Sequence, residues 1–481
     1  MKSILTLTCI IAVASLGEAS EKIPPAGFTA LFNGQDLSGW YGWGTKDPSE
    51  LWKMAPAELA DYKRKSVEGG LPVAKAGPEH INAHWRVANG ELVNDGHGLY
   101  LTTDKDYGDF ELMVEYKALP EGDSGVYLRG IPQVQIWDTT KGDPHGRGQD
   151  KGSGGLWNNR KGAPGKDPSK SMDRPFGEWN SFVIKMIGER VTVIFNGEQV
   201  VDNAVLENFF ANQNAGYLAY AKTGTPAKGK KAKTAERLPN GYLRDPAFPR
   251  GPIQLQTHGS EIRWRNVFIR EIGAAEANRE LARQGGGAGF VEMINGRDLS
   301  NWQGAVDSYM VKNGSIVCRP GKGGDLLIKE EFEDGIIRIE FKLPTAGNNG
   351  IALRTPLGGH SASDGLEIQV IDSDGYNAKM AAAGKPGLLP YQYHGSLYHC
   401  VGAKHGYLRP VGEWNFEEIE VQGQKIRVTL NGTKILDVDI DSFDRSQIVR
   451  PPKGLDRTKG YIGFAGHNDP VEFRSFKVKK F

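Results

Sequence analysis

At 481 residues the chain exceeds one ordinary domain, and two or three are expected. A hydrophobic content of 39% with ten tryptophans supports packed cores and excludes a disordered chain. A formal net charge of +1 leaves no electrostatic footprint for a nucleic acid or other polyanion, so neither is expected as a partner.

The N-terminus, "MKSILTLTCIIAVASLGEAS", has a lysine, an apolar stretch from Ile4 to Leu16 and then small residues. This reads as a secretory signal over 1–19, cleaved after Ala19, and predicts an exported protein, periplasmic or extracellular. No later segment approaches the roughly 18–20 apolar residues of a membrane span. Past the signal only Cys318 and Cys400 remain, and their spacing suggests no metal site.

From there the chain is written twice. "FNGQDLSGW" (32–40) returns as "INGRDLSNW" (294–302), and "WRVANGELV" (85–93) as "YMVKNGSIV" (309–317). "VEYKALPEGDSGVYLR" (114–129) returns without a gap as "IEFKLPTAGNNGIALR" (339–354). "GEWN" recurs at 177–180 and 412–415, "FNGEQVVD" (195–202) as "LNGTKILD" (430–437), and "QTHGSEIRWRNVFIREI" (256–272) as "AGHNDPVEFRSFKVKKF" (465–481). Six matches in one order set a first domain at 27–272 and a second at 290–481. The first copy carries insertions at 41–84, where "PSELWKMAPAELADYKRKS" reads as a short helix, and at 203–250, a Gly/Lys/Pro-rich loop. Its basic run "AKGKKAK" (227–233) reads as solvated loop. Between the copies, 273–289 reads as a short helix followed by a glycine linker.

Within each copy the period is two. Phe110, Leu112, Val114 and Tyr116 alternate with polar or flexible residues, and Ile337, Ile339 and Phe341 repeat the pattern. "RVTVIFNG" and "KIRVTLNG" alternate likewise and stop at Asn-Gly, a hairpin turn. Strands with one apolar face and little helical periodicity predict an all-β protein of two tandem jelly-roll β-sandwiches.

Parity then selects the outward side chains. In "GVYLR" the core takes Val126 and Leu128, so Arg129 faces out. In "QVQIWD" Gln133, Gln135 and Trp137 face out, and in "LQTHG" Gln256 and His258 do. The second copy supplies Arg354, then Glu367 and Gln369 from "EIQVID", then His467. An Arg, amides, a His and in one copy a carboxylate are thus expected to converge on a sheet face suited to sugar hydroxyls. Asp138 and Asp372 carry core parity and are expected at strand ends. No G-x-S-x-G, H-E-x-x-H or phosphate loop is present. In "YHGSLYHC", His394 and His399 are metal-ligand candidates together with Asp372 or Glu367, so a divalent metal ion is a candidate cofactor.

These residues carry a resemblance. "GFTALFNGQDLSGW", "GDSGVYLRGIPQVQIWD", "GSGGLWNN" and "GEWN" in the first copy resemble the 3-keto-disaccharide hydrolase family, also described as 3-keto-glucoside 1,2-lyase/3-keto-2-hydroxyglucal hydratase domains. So do "GNNGIALRTPLGG", "LEIQVID", "LPYQYHGSLYHCV" and "GFAGHNDPVEFRSFKVK" in the second. The resemblance implies a concanavalin-like jelly roll, an exported role in carbohydrate breakdown and an oligosaccharide or glycoside substrate. It also implies a route in which a 3-keto group acidifies H2, the C1 substituent leaves by β-elimination, and water adds to the resulting glucal. On that reading His467 or Glu367 serves as base and the other as acid in the second copy, with Asp372 alongside. In the first copy His258 is the base and Asp138 its partner. Arg129, Gln135, Gln256, Arg354, Gln369 and Tyr398 bind substrate, and Arg354 or a metal holds the oxyanion. The exchange of Glu367 for Gln133 favours the second copy. Two other readings are a non-catalytic carbohydrate-binding protein, and an ordinary glycosidase with carboxylates about 5–10 Å apart, for which only Glu367 and Asp372 offer themselves.

Overall fold

The computed structural model describes residues 23–72, 80–213, 245–448 and 450–481. The signal segment, the basic run at 227–233 and most of the second insertion lie outside the described residues. Each copy is one sandwich of two antiparallel sheets, as period two requires. In the first, a large sheet runs in the order Glu198–Val205, Arg190–Phe195, Asn180–Ile187, Phe110–Ala118, Ile262–Glu271, Glu91–Asn94, Trp85–Ala88. It packs on a five-stranded sheet ordered Trp40–Trp43, Tyr100–Thr103, Gln254–Leu255, Asp123–Leu128, Ile131–Trp137. The second copy repeats both. Its small sheet is ordered Trp302–Gly304, Gly323–Ile328, Tyr461–His467, Asn348–Thr355, Leu366–Ile371.

The cores follow the parity read from sequence. Leu112, Val114, Val126, Val134, Ile136 and Trp264 fill one sandwich, and Ile337, Phe341, Ile351, Ile368, Val428 and Phe464 the other. Burial of this kind contributes about 1.5–3 kcal/mol per large side chain. Cys318 is buried in the second core and Cys400 is half-buried; both are free thiols.

The first insertion forms helices Ser49–Trp52 and Pro56–Glu68, the latter opened by proline at its first position. Its Leu51, Met54, Leu59 and Tyr62 pack on Tyr41 and Trp43, at the edge of the small sheet. The helix Ala274–Gln284 joins the copies. Its Ala277 and Leu281 are buried with Ile187, Ile272 and Phe416 from both sandwiches. A cavity of about 790 Å³ at this junction is lined by Asp109, Arg129, Tyr407 and Arg409, among others. Glu367, Gln369 and His467 are not among its lining residues. No helix among the described residues is long and apolar enough to cross a membrane.

Candidate active site

The two arginines are not where parity puts them. Arg129 and Arg354 both have left-handed backbone (φ 54° and 51°): Arg129 sits in the two-residue turn between the paired Leu128 and Ile131, and Arg354 within the register shift between Ala352 and Thr355. A turn or bulge of this kind re-aims the side chain. Arg129, 1% exposed, donates to the carbonyls of Gly108, Gly188 and Phe248 at 2.8–2.9 Å and to Asp109 at 3.0 Å. Arg354 likewise donates to the Gly423 carbonyl and to Gln424. In each copy the arginine therefore pins a hairpin turn of the large sheet. Neither joins the polar residues on the outer face of the small sheet.

The two strand-end aspartates are also structural. Asp138 accepts from the backbone N–H of Glu121 and of Thr140, at 2.8 and 2.9 Å. Asp372 accepts from those of Ala346 and Gly375, at 2.8 and 3.1 Å. Glu121 and Ala346 each hold a positive φ, so the aspartates clamp equivalent strained turns. Asp138 is not the partner of His258. Both oxygens of Asp372 are engaged by backbone N–H groups. His394 is committed too: its Nδ1 accepts from Ile371 N–H at 3.3 Å, which puts the proton on Nε2, 2.8 Å from Glu417. Among the described residues no group of three or more His, Cys, Asp or Glu side chains could hold a metal ion.

What does converge lies on the outer face of the second copy's small sheet. Cross-strand register places Glu367 opposite Ala352, Gln369 opposite Gly350, and Asp325 opposite Ala465. Gly350, Ala352, Gly463 and Ala465 form the buried floor of a trough through the middle strands. Glu367 and Gln369 stand on one side, Asp325 on the other, and His467 at the end. Glu367 is 2% exposed; its Oε1 lies 3.4 Å from His467 Nε2, while Oε2 has no hydrogen-bond partner. The Oε1 of Gln369 is likewise unpartnered. A buried acceptor without a donor costs about 1–3 kcal/mol, which a bound hydroxyl would recover. Tyr398 is tied to the same strand by its N–H to the Glu367 carbonyl, 2.9 Å, and its ring packs on His399 and Tyr391.

Charge around the trough sets the proton affinities. Burial pulls His467 down, but the Glu367 hydrogen bond and the charges of Glu367, Asp325 and Asp469 outweigh it and raise it above the ordinary histidine value. Burial holds His399 below that value, although Glu367 works against it. Burial also raises the Asp325 carboxyl, against hydrogen bonds from Ser361 N–H (2.7 Å) and Oγ (3.1 Å). Asp325 was missed in the sequence because the strand Gly323–Ile328 matches "GLYLTT" of the first copy only once registers are known.

The first copy fills the same face. Tyr127 and Gln254 stand where the second has Ala352 and Gly463, and Gln256 and Tyr100 where it has Ala465 and Asp325. Gln254 donates to Thr102, Gln256 to Tyr100, and the Tyr127 hydroxyl meets Thr45 of the first insertion at 3.2 Å. Its trough is plugged by its own side chains. His258 nevertheless has a carboxylate, Asp123, on the adjacent strand, with Nδ1 and Oδ2 3.3 Å apart. Gln135 donates to the other Asp123 oxygen at 2.8 Å, and Gln133 donates to Gln135. The ungapped repeat "GDSG"/"GNNG" sets Asp123 against Asn348, the signal that could have found it.

Gly350 makes the trough possible. A Cβ there would come within 2.6 Å of Glu367 Cγ and 2.7 Å of Cδ. Gly350→Ala is therefore expected to displace the carboxylate, lowering turnover about a hundredfold with little change in melting temperature, as read by paired activity and thermal-melt assays.

One domain-family model, described as a 3-keto-alpha-glucoside-1,2-lyase-like domain, matches residues 27–270 and again 289–479. The chain belongs to this family. Similarity to a protein named 3-keto-disaccharide hydrolase from Bacteroides thetaiotaomicron runs at 23% identity over 231 residues, 40% of this chain and 78% of that one. A candidate glycosyl hydrolase structure from Parabacteroides distasonis aligns at 24% identity and a TM-score of 0.37, covering 40% of this chain and 94% of its own. A carbohydrate-binding module of Bacillus subtilis aligns at 12% identity and a TM-score of 0.21, covering 40% and 96%. Each alignment spans about one lyase-like domain's share of the chain.

Proposed function

We propose that the protein is an exported enzyme that cleaves 3-keto-glucosides by β-elimination, net hydrolysis following on addition of water, and that the elimination takes place in the second copy's trough. The carrying observation is the buried Glu367 with an unpartnered oxygen above a floor of glycine and alanine, held 3.4 Å from His467. Membership of the lyase-like family and the name of the Bacteroides relative support the substrate class.

Elimination removes a proton from C2 and protonates the oxygen leaving C1. The carbons are adjacent, so base and acid must be close neighbours. Glu367 takes H2 and the 3-keto group receives the electron pair as an enolate. The imidazolium of His467, stabilised by Glu367 and Asp325, delivers a proton to the leaving oxygen as the C1–O bond breaks. Gln369 and Tyr398 orient hydroxyls. An ordinary glycosidase would need a second free carboxylate at a defined spacing; Asp372 is clamped by backbone N–H groups, and both oxygens of Asp325, across the trough, accept from Ser361.

A test is turnover of a 3-keto-glucoside and of the unoxidised glucoside in D₂O, with and without EDTA. Deuterium at C2 of the product is expected. Cleavage of the unoxidised glucoside alone, or product without deuterium at C2, would overturn elimination, and turnover of neither would favour a binding protein. Because the acid is a histidine raised above its usual value of about 6.5, the alkaline limb of kcat/KM is expected above pH 6.5. A limb at or below 6.5 would remove His467 from that role.

A further inference from the structure

The first copy holds chemistry that the trough reading leaves unused. Asp123 is anchored by Gln135 and faces His258 Nδ1, so the imidazole presents Nε2 outward, with the side chain 58% exposed. In the second copy His467 engages its carboxylate through Nε2 instead. A carboxylate that fixes the tautomer and an exposed Nε2 form a base suited to water. Beside the pair, Trp137 lies directly across the sheet from Asp123, and the half-buried Trp157 meets it edge-on at 5.7 Å. The Trp157 indole donates to the Arg147 carbonyl at 3.0 Å. Aromatic rings beside polar groups suit a sugar ring. The contrast with Glu367, closed away over its trough, matches the two halves of the reaction: elimination gains from excluding water, and addition consumes it.

We infer that the first copy is a second reaction site, in which His258 and Asp123 add water to the 2-hydroxy-3-keto-glucal released by the second. This rests on the elimination reading above. As the water oxygen bonds to C1, one of its protons passes to His258 Nε2. The π pair of C1=C2 moves into the conjugated ketone as an enolate, which takes that proton back at C2. The product is 3-keto-glucose, and no other reactant is required. Asp123 is a positioning residue that holds the imidazole.

The experiment supplies both the 3-keto-glucoside and the separately prepared glucal to the full chain. It follows aglycone release, loss of enone absorbance and C2 deuteration in D₂O. His258→Gln is expected to slow hydration of supplied glucal at least a hundredfold and to accumulate glucal from the glucoside. Asp123→Asn should do the same more weakly and shift the pH profile of hydration. Glu367→Gln should block release while still hydrating supplied glucal. The exposed His258 side chain packs no core, so its loss cannot be ascribed to unfolding. Hydration of supplied glucal at the wild-type rate by His258→Gln and Asp123→Asn would overturn the assignment. If the wild type releases no aglycone, the elimination reading fails instead, and hydration is still scored on its own substrate.

Discussion

Glu367→Gln is expected to reduce aglycone release from a 3-keto-glucoside by about 10²–10⁴-fold, the range for losing a positioned general base. The substitution keeps the side chain's length and its ability to bind a hydroxyl, and it reproduces the residue the first copy has at Gln133. Substrate binding should therefore change little, with the loss falling on kcat. A second signature follows from the pair. The Glu367 hydrogen bond and charge raise His467 against the pull of burial, so in the variant burial is less opposed and the alkaline limb of any residual activity should move to lower pH. A merely structural role for Glu367 would cost stability and leave that limb in place. Wild-type kcat in Glu367→Gln would remove the reaction from the second copy.

Much of the site was legible because repetition aligns positions that no single copy can interpret. The Gln133/Glu367 exchange stood out, and parity put Glu367, Gln369, Gln135, Gln256 and His258 on the outer faces. Parity failed at Arg129 and Arg354, because period two assumes an unbroken strand, whereas Arg129 sits in a hairpin turn and Arg354 at a bulge, both with positive φ. It also could not show what covers a face. That the large Tyr127 and Gln254 fill one face, while the small Ala352 and Gly463 line the other, depends on cross-strand neighbours far apart in sequence. For the same reason Asp325 and Asp123 became visible only with registers in hand. The motif "YHGSLYHC" invited a metal reading for His394, but a histidine inside a core satisfies the spacing as well.

That core histidine carries the largest expected effect on stability. His394 is 3% exposed and Glu417 fully buried; the imidazole stacks on Phe341 and links the Ile371 N–H to the Glu417 carboxylate. The first copy makes the same strand-end bond with Ser153, which accepts from Trp137 N–H at 2.9 Å. Phe182 there occupies the place of Glu417. His394→Ser should thus keep the backbone partner but strand a buried carboxylate, costing about 3–5 kcal/mol. In a domain of this size that corresponds to a fall of roughly 10 °C in the melting transition of the second sandwich. His394→Ser with Glu417→Phe transplants the first copy's solution, and should recover part of the loss because no charge is left unpaired. Equal destabilisation by the single and the double variant would mean that packing volume, not the stranded carboxylate, sets the cost.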